Sequence, residues 1–172
     1  MPDLSENFKA VYDKLHTLAE QHFRRQSSAS TLQATALVHE VYLRFAELDM
    51  AAINDTEHLM AVAATAMRQI LVDRARRRKA DKRGGGWDRI TLNDSILSPQ
   101  GAVCDVLAVD DMITRLNELS PRQARVVEMR VFTAMTVPEV AHALGVSVAT
   151  VEKDWRKARA WMRLELSRAS TE

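Results

Sequence analysis

The sequence predicts an all-α protein built from two small helical domains joined by a flexible acidic linker. Three observations lead to this fold class. Hydrophobic residues make up 47% of the 172 residues, but aromatic residues only 5%, and there are five glycines. This composition is typical of helices rather than of a β-sandwich. Apolar residues recur at the helical period before residue 84 and after residue 106, without a strand pattern, and the segment between lacks a sustained period.

Three helices are predicted in the first domain, residues 1–83. The apolar period gives a first helix over about 4–26 and a second over about 33–48. A polar-ended loop at 49–56 follows, in which Asn54 or Asp55 can cap the third helix. That third helix is long and continues through a basic run as far as residue 83. Three such helices are enough to close one small core.

The linker is predicted to span residues 84–106. Gly84, Gly85 and Gly86 end the third helix, and the acidic stretch beyond them contains Pro99 and Gly101. We expect little structure in this stretch and no strand. Because such a linker is flexible, it would not fix the two domains relative to each other unless a binding partner held both.

Four helices are predicted in the second domain, residues 107–172. They cover about 107–118, 121–132, 137–143 and 147–166. Ser120 is expected to cap the second of these helices. Pro121 would be the first helical residue, and Gln123 would complete a capping box with Ser120.

Residues 136–166 have the spacing of a helix-turn-helix. Ala141 is small where two helices cross, Gly145 suits a turn with positive φ, and Val151 buries the base of the second helix. Both helices have a predicted N-terminal cap: Thr136 forms a capping box with Glu139 at the first helix, and Ser147 caps the second. The inward stripe is predicted to be Val151, Trp155, Ala158 and Met162. The side chains left to enter a major groove are Thr150, Glu152, Lys153, Arg156 and Lys157.

A second nucleic-acid signal is a basic block within 74–83. The net charge of the chain is only +1, yet these ten residues hold seven cations and one acid. Cations complement a helix C-terminus, but this explains two or three of them. We therefore expect phosphate contacts from Arg74, Arg76, Arg77, Arg78, Lys79, Lys82 and Arg83.

Catalytic and metal sites are not predicted. The five histidines are scattered over different helices, and neither they nor the single cysteine, Cys104, have metal-ligand spacing. We expect a non-enzyme without cofactor or metal. The N-terminus lacks the order of a signal peptide, and no apolar run is long enough to span a membrane. A soluble cytoplasmic protein, monomeric when free, is expected.

Three segments in this order resemble bacterial RNA polymerase sigma factors of the extracytoplasmic-function (ECF) group. Residues 37–44, LVHEVYLR, resemble the polymerase-binding helix of the sigma-2 domain. Residues 67–83 resemble its promoter-reading helix, and residues 119–132 with the helix-turn-helix resemble the sigma-4 domain.

The resemblance implies core RNA polymerase and promoter DNA as partners. The sigma-2 domain would dock on the β′ clamp through Gln33, Ala34, Thr35, Ala36, His39, Glu40 and Arg44. The minus-10 element would be bound by a loop containing Asp49, Asn54, Asp55 and Thr56, and gripped by Arg68, Arg74, Arg76, Arg77, Arg78 and Lys79. The sigma-4 domain would bind the β flap and read the minus-35 element through the groove-facing residues given above. The linker would run toward the RNA exit channel.

One departure from the family pattern concerns residues 33–36. Similar sigma factors carry Asp-Ala-Glu-Asp there, and these acids pair with clamp arginines, whereas this chain has the uncharged Gln33-Ala34-Thr35-Ala36. Residues 31–40 are also similar to a subset of which some members are associated with serine/threonine protein kinases. The resemblance therefore implies such a kinase as a partner, with Thr35 as the phosphorylation candidate. The alternative is that Thr35 is only an N-terminal helix residue.

A stand-alone helix-turn-helix regulator is the competing interpretation, because residues 119–130 also resemble response-regulator DNA-binding domains. Such regulators carry an α/β receiver or ligand domain, and the N-terminal half here has only helical patterns. A pure protein-interaction bundle is disfavoured by the basic block.

Overall fold

The computed structural model describes residues 4–23, 30–48, 53, 55–81, 89–91 and 103–169. Within these residues the chain forms seven α-helices and two three-residue strands. The elements are α1 Leu4–Phe23, α2 Ser30–Ala46, α3 Thr56–Ala80, β1 Arg89–Thr91, β2 Val103–Asp105, α4 Val106–Leu119, α5 Pro121–Phe132, α6 Val137–Leu144 and α7 Val148–Ala169. The predicted all-α fold class is confirmed. None of the helices in the described ranges is both long and apolar enough to cross a membrane.

The first three helices enclose a core in which aromatic rings join α1 to α2. The ring of Tyr42 lies 5.5 Å from those of Tyr12 and Phe45, and 5.8 Å from that of Phe8. The Tyr42 hydroxyl donates a hydrogen bond to the Phe8 carbonyl oxygen at 2.7 Å. This partly buried bond offsets the cost of placing a polar group between two helices. Below the rings, the helices bury Leu15, Leu37, Met60, Met67 and Ile70.

The helix boundaries differ from the predicted ones mainly around the N-terminal loops. α1 ends at Phe23 rather than near 26, and residues 24–29 lie outside the described part. α2 begins at Ser30, three residues earlier than predicted, so Thr35 lies in its second turn. Of the two predicted caps for α3, Asp55 accepts a hydrogen bond from the His58 backbone N–H at 2.9 Å, whereas Asn54 lies outside the described residues. The basic end, predicted to reach 83, is helical as far as Ala80.

The predicted linker contains a small antiparallel ribbon, so the expectation of no strand was wrong. β1 pairs with β2, with Ile90 opposite Cys104. Three-residue strands are too short for an alternating pattern to stand out in the sequence. At the end of β2, the Asp105 carboxylate accepts a hydrogen bond from the Leu107 N–H at 2.9 Å and so caps α4. The ribbon thereby sets the start of the second helical half.

The last four helices pack around a second set of buried side chains. These include Ile113, Val127, Met129, Phe132, Met135, Val151, Ala158 and Met162. Pro121 is the first residue of α5, as predicted, but Ser120 makes no side-chain capping bond, which corrects that prediction. Instead its backbone N–H donates to the Leu116 carbonyl oxygen at 2.7 Å and closes the end of α4.

The two halves are in contact along α3, which packs against α4, α5 and α6. Their buried residues form one continuous core. The linker was expected to leave the halves unpositioned, but in this structure they are held together. The consequence is that α3 contributes to both halves, and several of its side chains are engaged between them.

Candidate nucleic-acid interface

The helix-turn-helix is built by local capping interactions. At the start of α6, the Thr136 N–H donates to a Glu139 carboxylate oxygen at 2.6 Å, and the Glu139 N–H donates to the Thr136 hydroxyl at 3.4 Å. Gly145 ends the helix with a φ of +63°, in the left-handed region that glycine adopts without strain. The Ser147 hydroxyl then accepts from the Thr150 N–H at 3.1 Å and caps α7. These are the start and turn signals that the sequence predicted.

The inner face of α7 is buried as predicted. Ala141 of α6 and Val151 of α7 are both buried where the helices cross. Trp155 lies in the core with 7% of its surface exposed, and the Arg130 guanidinium stacks over its ring at 5.0 Å. Trp155 therefore holds the helix in place, as its predicted inward position requires.

The outer face of α7 is basic and open to solvent. Thr150 is half-buried, and the other four predicted groove-facing residues, Glu152, Lys153, Arg156 and Lys157, are exposed. Within the described residues none of these four takes part in an ion pair. Three cations on one exposed helical face can reach phosphates or guanine edges without first breaking an internal contact.

An acid on α7, Asp154, was not foreseen as a structural residue. It is 4% exposed and accepts a hydrogen bond from the Arg122 guanidinium at 2.5 Å. This ion pair ties α7 to α5 at the position directly after Lys153 and two residues before Arg156. It therefore fixes the direction in which the basic face points.

The cations at the basic end of α3 differ in their exposure and in whether they form ion pairs. Arg76, Arg77, Arg78 and Lys79 are exposed. Arg76 is 65% exposed and 3.5 Å from an Asp110 carboxylate oxygen, and Arg74 donates to the Glu40 carboxylate at 2.7 Å. The two remaining cations of the predicted block, Lys82 and Arg83, lie outside the described residues.

Arg68 is placed differently from the rest of the predicted minus-10 set. Its guanidinium donates to the Asp110 carboxylate at 2.8 Å and to the Glu128 carboxylate at 3.3 Å. It also donates to the Asp110 carbonyl oxygen and to the Thr114 hydroxyl. All four acceptors belong to the second half of the chain. In this arrangement Arg68 joins the halves and does not face solvent as a phosphate contact would.

Other side-chain contacts also join the halves. The Arg125 guanidinium donates hydrogen bonds to the Glu128 carboxylate and to the Thr65 hydroxyl of α3. On α1, Lys14 pairs with Glu139 at 2.8 Å. Asp110 and Glu128 were not singled out in the sequence, because they lie 42 and 60 positions from Arg68, and Glu139 was singled out only as the partner of Thr136.

His22 marks the buried part of the contact between the halves. Its Nε2 lies 3.4 Å from the Phe132 carbonyl oxygen, and its side chain is 5% exposed. Burial lowers the pKa of His22 more than the hydrogen bond to this carbonyl oxygen raises it. The neutral form of the imidazole is therefore the one that this interface accepts.

The predicted minus-10 loop is described only at its end. Asp49 and Asn54 lie outside the described residues, and Thr56 is the first residue of α3. The Asp55 carboxylate contacts His58 Nδ1 at 2.8 Å and His142 Nε2 at 2.6 Å. His58 and His142 lie on different helices, as the sequence indicated, but folding brings α6 to the start of α3 and places their ring centroids 6.1 Å apart.

The predicted docking residues on α2 divide between its two faces. Ala34 is fully buried, Gln33 is partly buried, and the Thr35 hydroxyl lies 3.2 Å from His16 Nε2. The exposed ones are Ala36, His39, Glu40 and Arg44. Leu43, which the sequence analysis did not single out, lies on the same exposed face with 69% of its surface open. An exposed large apolar side chain among polar ones is a common mark of a protein-binding surface.

Comparison with known proteins identifies a family for this chain. The family model described as ECF sigma factor matches residues 4–168, which is nearly the whole chain. No curated protein matches. The match covers the exposed basic face of α7, the basic end of α3 and the outer face of α2.

Proposed function

Because the chain belongs to the ECF sigma factor family, whose members bind RNA polymerase and direct transcription initiation at promoters, we propose how its surfaces divide this work. The first half, residues 1–83, docks on the polymerase β′ clamp and binds the minus-10 element. The second half, residues 107–172, binds the β flap and reads the minus-35 element. The linker, 84–106, runs toward the RNA exit channel.

The observation that carries this proposal is the open basic face of α7. Lys153, Arg156 and Lys157 extend into solvent beside a capped, rigid turn, and the opposite face is anchored by Trp155 and Asp154. A helix held in this way can enter a major groove with its side chains already directed at base edges. We assign minus-35 reading to these cations, with Glu152 accepting from cytosine and Thr150 at the margin.

The docking surface is assigned to the exposed face of α2. Ala36, His39, Glu40 and Leu43 recur at spacings of three and four residues, so they share one side of the helix. Leu43 supplies apolar area to bury against a partner, and His39 and Glu40 are polar residues at the edge of this contact. Ala34 serves the internal core and is not part of the contact.

Binding of the minus-10 element requires the halves to separate. The assigned residues Arg68 and Asp55 are bonded to Asp110, Glu128 and His142 of the second half. Arg76, Arg77 and Lys79 remain exposed at the end of α3 and can contact phosphates in either arrangement. We infer that polymerase selects the separated arrangement, and that the packed one lowers the apparent affinity.

Phosphorylation of Thr35 by a serine/threonine kinase is the proposed source of the missing negative charge. A phosphate would add about −1.5 to −2 charges at neutral pH next to Ala36, where relatives carry acids. Because α2 begins at Ser30, its dipole gives Thr35 little help, since this effect falls off after the first turn. His16, 3.2 Å from the hydroxyl, could pair with the phosphate when protonated.

The initiation proposal is tested by DNA footprinting with and without core polymerase. We expect a footprint over two promoter elements only when core polymerase is present, because neither half alone has a large basic surface. A site-specific footprint from the chain alone at physiological salt would support the stand-alone regulator instead.

The phosphorylation proposal needs a comparison of core-binding affinity among three proteins. They are the unmodified chain from a host without such kinases, Thr35→Ala and Thr35→Glu. We expect the acidic variant to bind core polymerase more tightly than the other two. Equal affinity of all three would leave Thr35 as a helix residue only.

A further inference from the structure

We propose that Asp55, His58 and His142 form a binding site for a divalent transition-metal ion of the zinc class, placed on the seam between the two halves. Asp55 and His58 lie at the start of α3, and His142 lies on α6. One ligand atom from each of the three residues lies within 4.8 Å of the others. No pattern in the sequence brings these residues together, because 84 positions separate His58 from His142.

The geometry allows a metal ion to replace the present hydrogen bonds with small side-chain movements. His58 Nδ1 lies 2.8 Å from one Asp55 carboxylate oxygen, and His142 Nε2 lies 2.6 Å from the other. Ligand atoms around a tetrahedral ion are about 3.3–3.6 Å apart when each bond is about 2.0–2.2 Å long. The side chains are 31–57% exposed, so they can adjust and an ion can reach them from solvent.

Asp55 can bind a metal and still cap α3. Its Oδ1 accepts the hydrogen bond from the His58 backbone N–H at 2.9 Å, whereas Oδ2 is the oxygen that faces His142. A metal bound through Oδ2 therefore leaves the cap intact. The negative charge of the carboxylate also offsets the positive helix end, which would otherwise repel a cation.

The donor set selects the class of ion. Two imidazoles and one carboxylate suit zinc and its neighbours in the transition series, whereas magnesium and calcium prefer sites made of oxygen atoms. Three protein ligands leave a fourth position for water in a tetrahedral site. The hydrogen bond and the charge of Asp55 raise the pKa of His142, and the charge of Glu57 adds a smaller contribution, so the potential beside the site is negative.

Such an ion would hold the halves together, because its ligands come from both. This consequence rests on the proposed function: Asp55 is assigned to the minus-10 loop, and a metal bound to it would keep that residue from DNA. Zinc would then inhibit polymerase binding, because it stabilises the packed arrangement that polymerase must open.

Calorimetric titration of the untagged full-length chain with Zn²⁺ tests the site without polymerase. We expect one equivalent to bind the wild type, and His142→Ala, His58→Ala and Asp55→Asn each to weaken binding about tenfold or more, since loss of even an outer-shell partner costs 10–100-fold. His16→Ala and Cys104→Ser are matched controls: among the described residues His16 lies 3.7 Å from Glu20 and is not part of the Asp55 cluster, and Cys104 is the only thiol of the sequence. Unchanged affinity in His142→Ala overturns the site.

The effect on initiation is measured separately. Zn²⁺ should reduce core binding by the wild type and leave core binding by His142→Ala unaffected, because that variant removes the bridge and no residue assigned to DNA or polymerase. An equal reduction of core binding in both proteins would contradict inhibition through this site. Failure of zinc binding with normal initiation rejects this inference alone, whereas zinc binding without any initiation rejects the proposed function.

Discussion

Replacing Arg68 by Met should weaken the contact between the two halves and lower the free energy of unfolding. Arg68 donates four hydrogen bonds, all to the second half, and its side chain is 18% exposed. Methionine keeps the apolar stem and removes the charge. The substitution leaves Asp110 without its closest partner and Glu128 with one arginine fewer, and this is the source of the expected loss.

The size of the loss follows from the burial of these acids. Removing one partner of a buried ion pair costs about 3–5 kcal/mol. Asp110 is 18% exposed, and Glu128, at 7%, keeps Arg125 beside it. Water and this second arginine therefore recover part of the cost, and we expect a loss of about 2–3 kcal/mol.

Urea unfolding followed by helical circular dichroism measures this loss. The matched control is Arg76→Met, which removes a cation that also faces Asp110, but at 3.5 Å and with 65% of its side chain exposed. The control should change the free energy of unfolding by no more than about 0.5 kcal/mol. If Arg68→Met costs no more than the control, Arg68 does not hold the halves together as described.

Three other predictions concern the DNA surfaces, the buried histidine and the docking face. Changing Lys153 or Arg156 to Ala should alter minus-35 preference by about 1–3 kcal/mol, whereas changing the arginines at 76–78 together should weaken open-complex formation on all promoters and flatten its salt dependence. Transcription from promoter variants measures both, and equal effects of the two sets on every promoter would contradict the assignment. Since the folded-state pKa of His22 is lowered from 6.5, its stabilising effect is complete above pH 6.5 and is lost as the pH falls below it. Urea unfolding across pH 5–8 should show this loss, and His22→Leu should reduce it; an unchanged pH dependence would refute the assignment. Leu43→Ser should reduce core-polymerase affinity by roughly tenfold, because burial of a leucine contributes about 1.5–3 kcal/mol, while leaving the urea midpoint unchanged; a shifted midpoint would indicate a folding defect instead.

The sequence predicted well what depends on neighbouring residues. The Thr136–Glu139 box, Gly145 and Ser147 each act within a few positions, so their local chemistry defined the helix-turn-helix and the inward position of Trp155. The apolar periods predicted all seven helices, with boundary errors where loops meet α1 and α2.

Contacts between distant parts of the chain could not be predicted in this way. The Arg68–Glu128 pair spans 60 positions, and the Asp55–His142 contact spans 87. A single sequence holds no signal for such pairs, because each partner alone resembles an ordinary surface residue. The same limit applies to the β1–β2 ribbon and to Asp154, which looks like a solvated acid until Arg122 is placed beside it.

Transcription in vitro with purified core polymerase on genomic fragments tests the central claim most directly. We predict that adding the chain produces transcripts from a defined set of start sites with shared minus-10 and minus-35 elements, and that these transcripts are absent without it. The absence of start-specific transcripts, with the chain alone binding specific DNA sites, would contradict its proposed role as an initiation subunit.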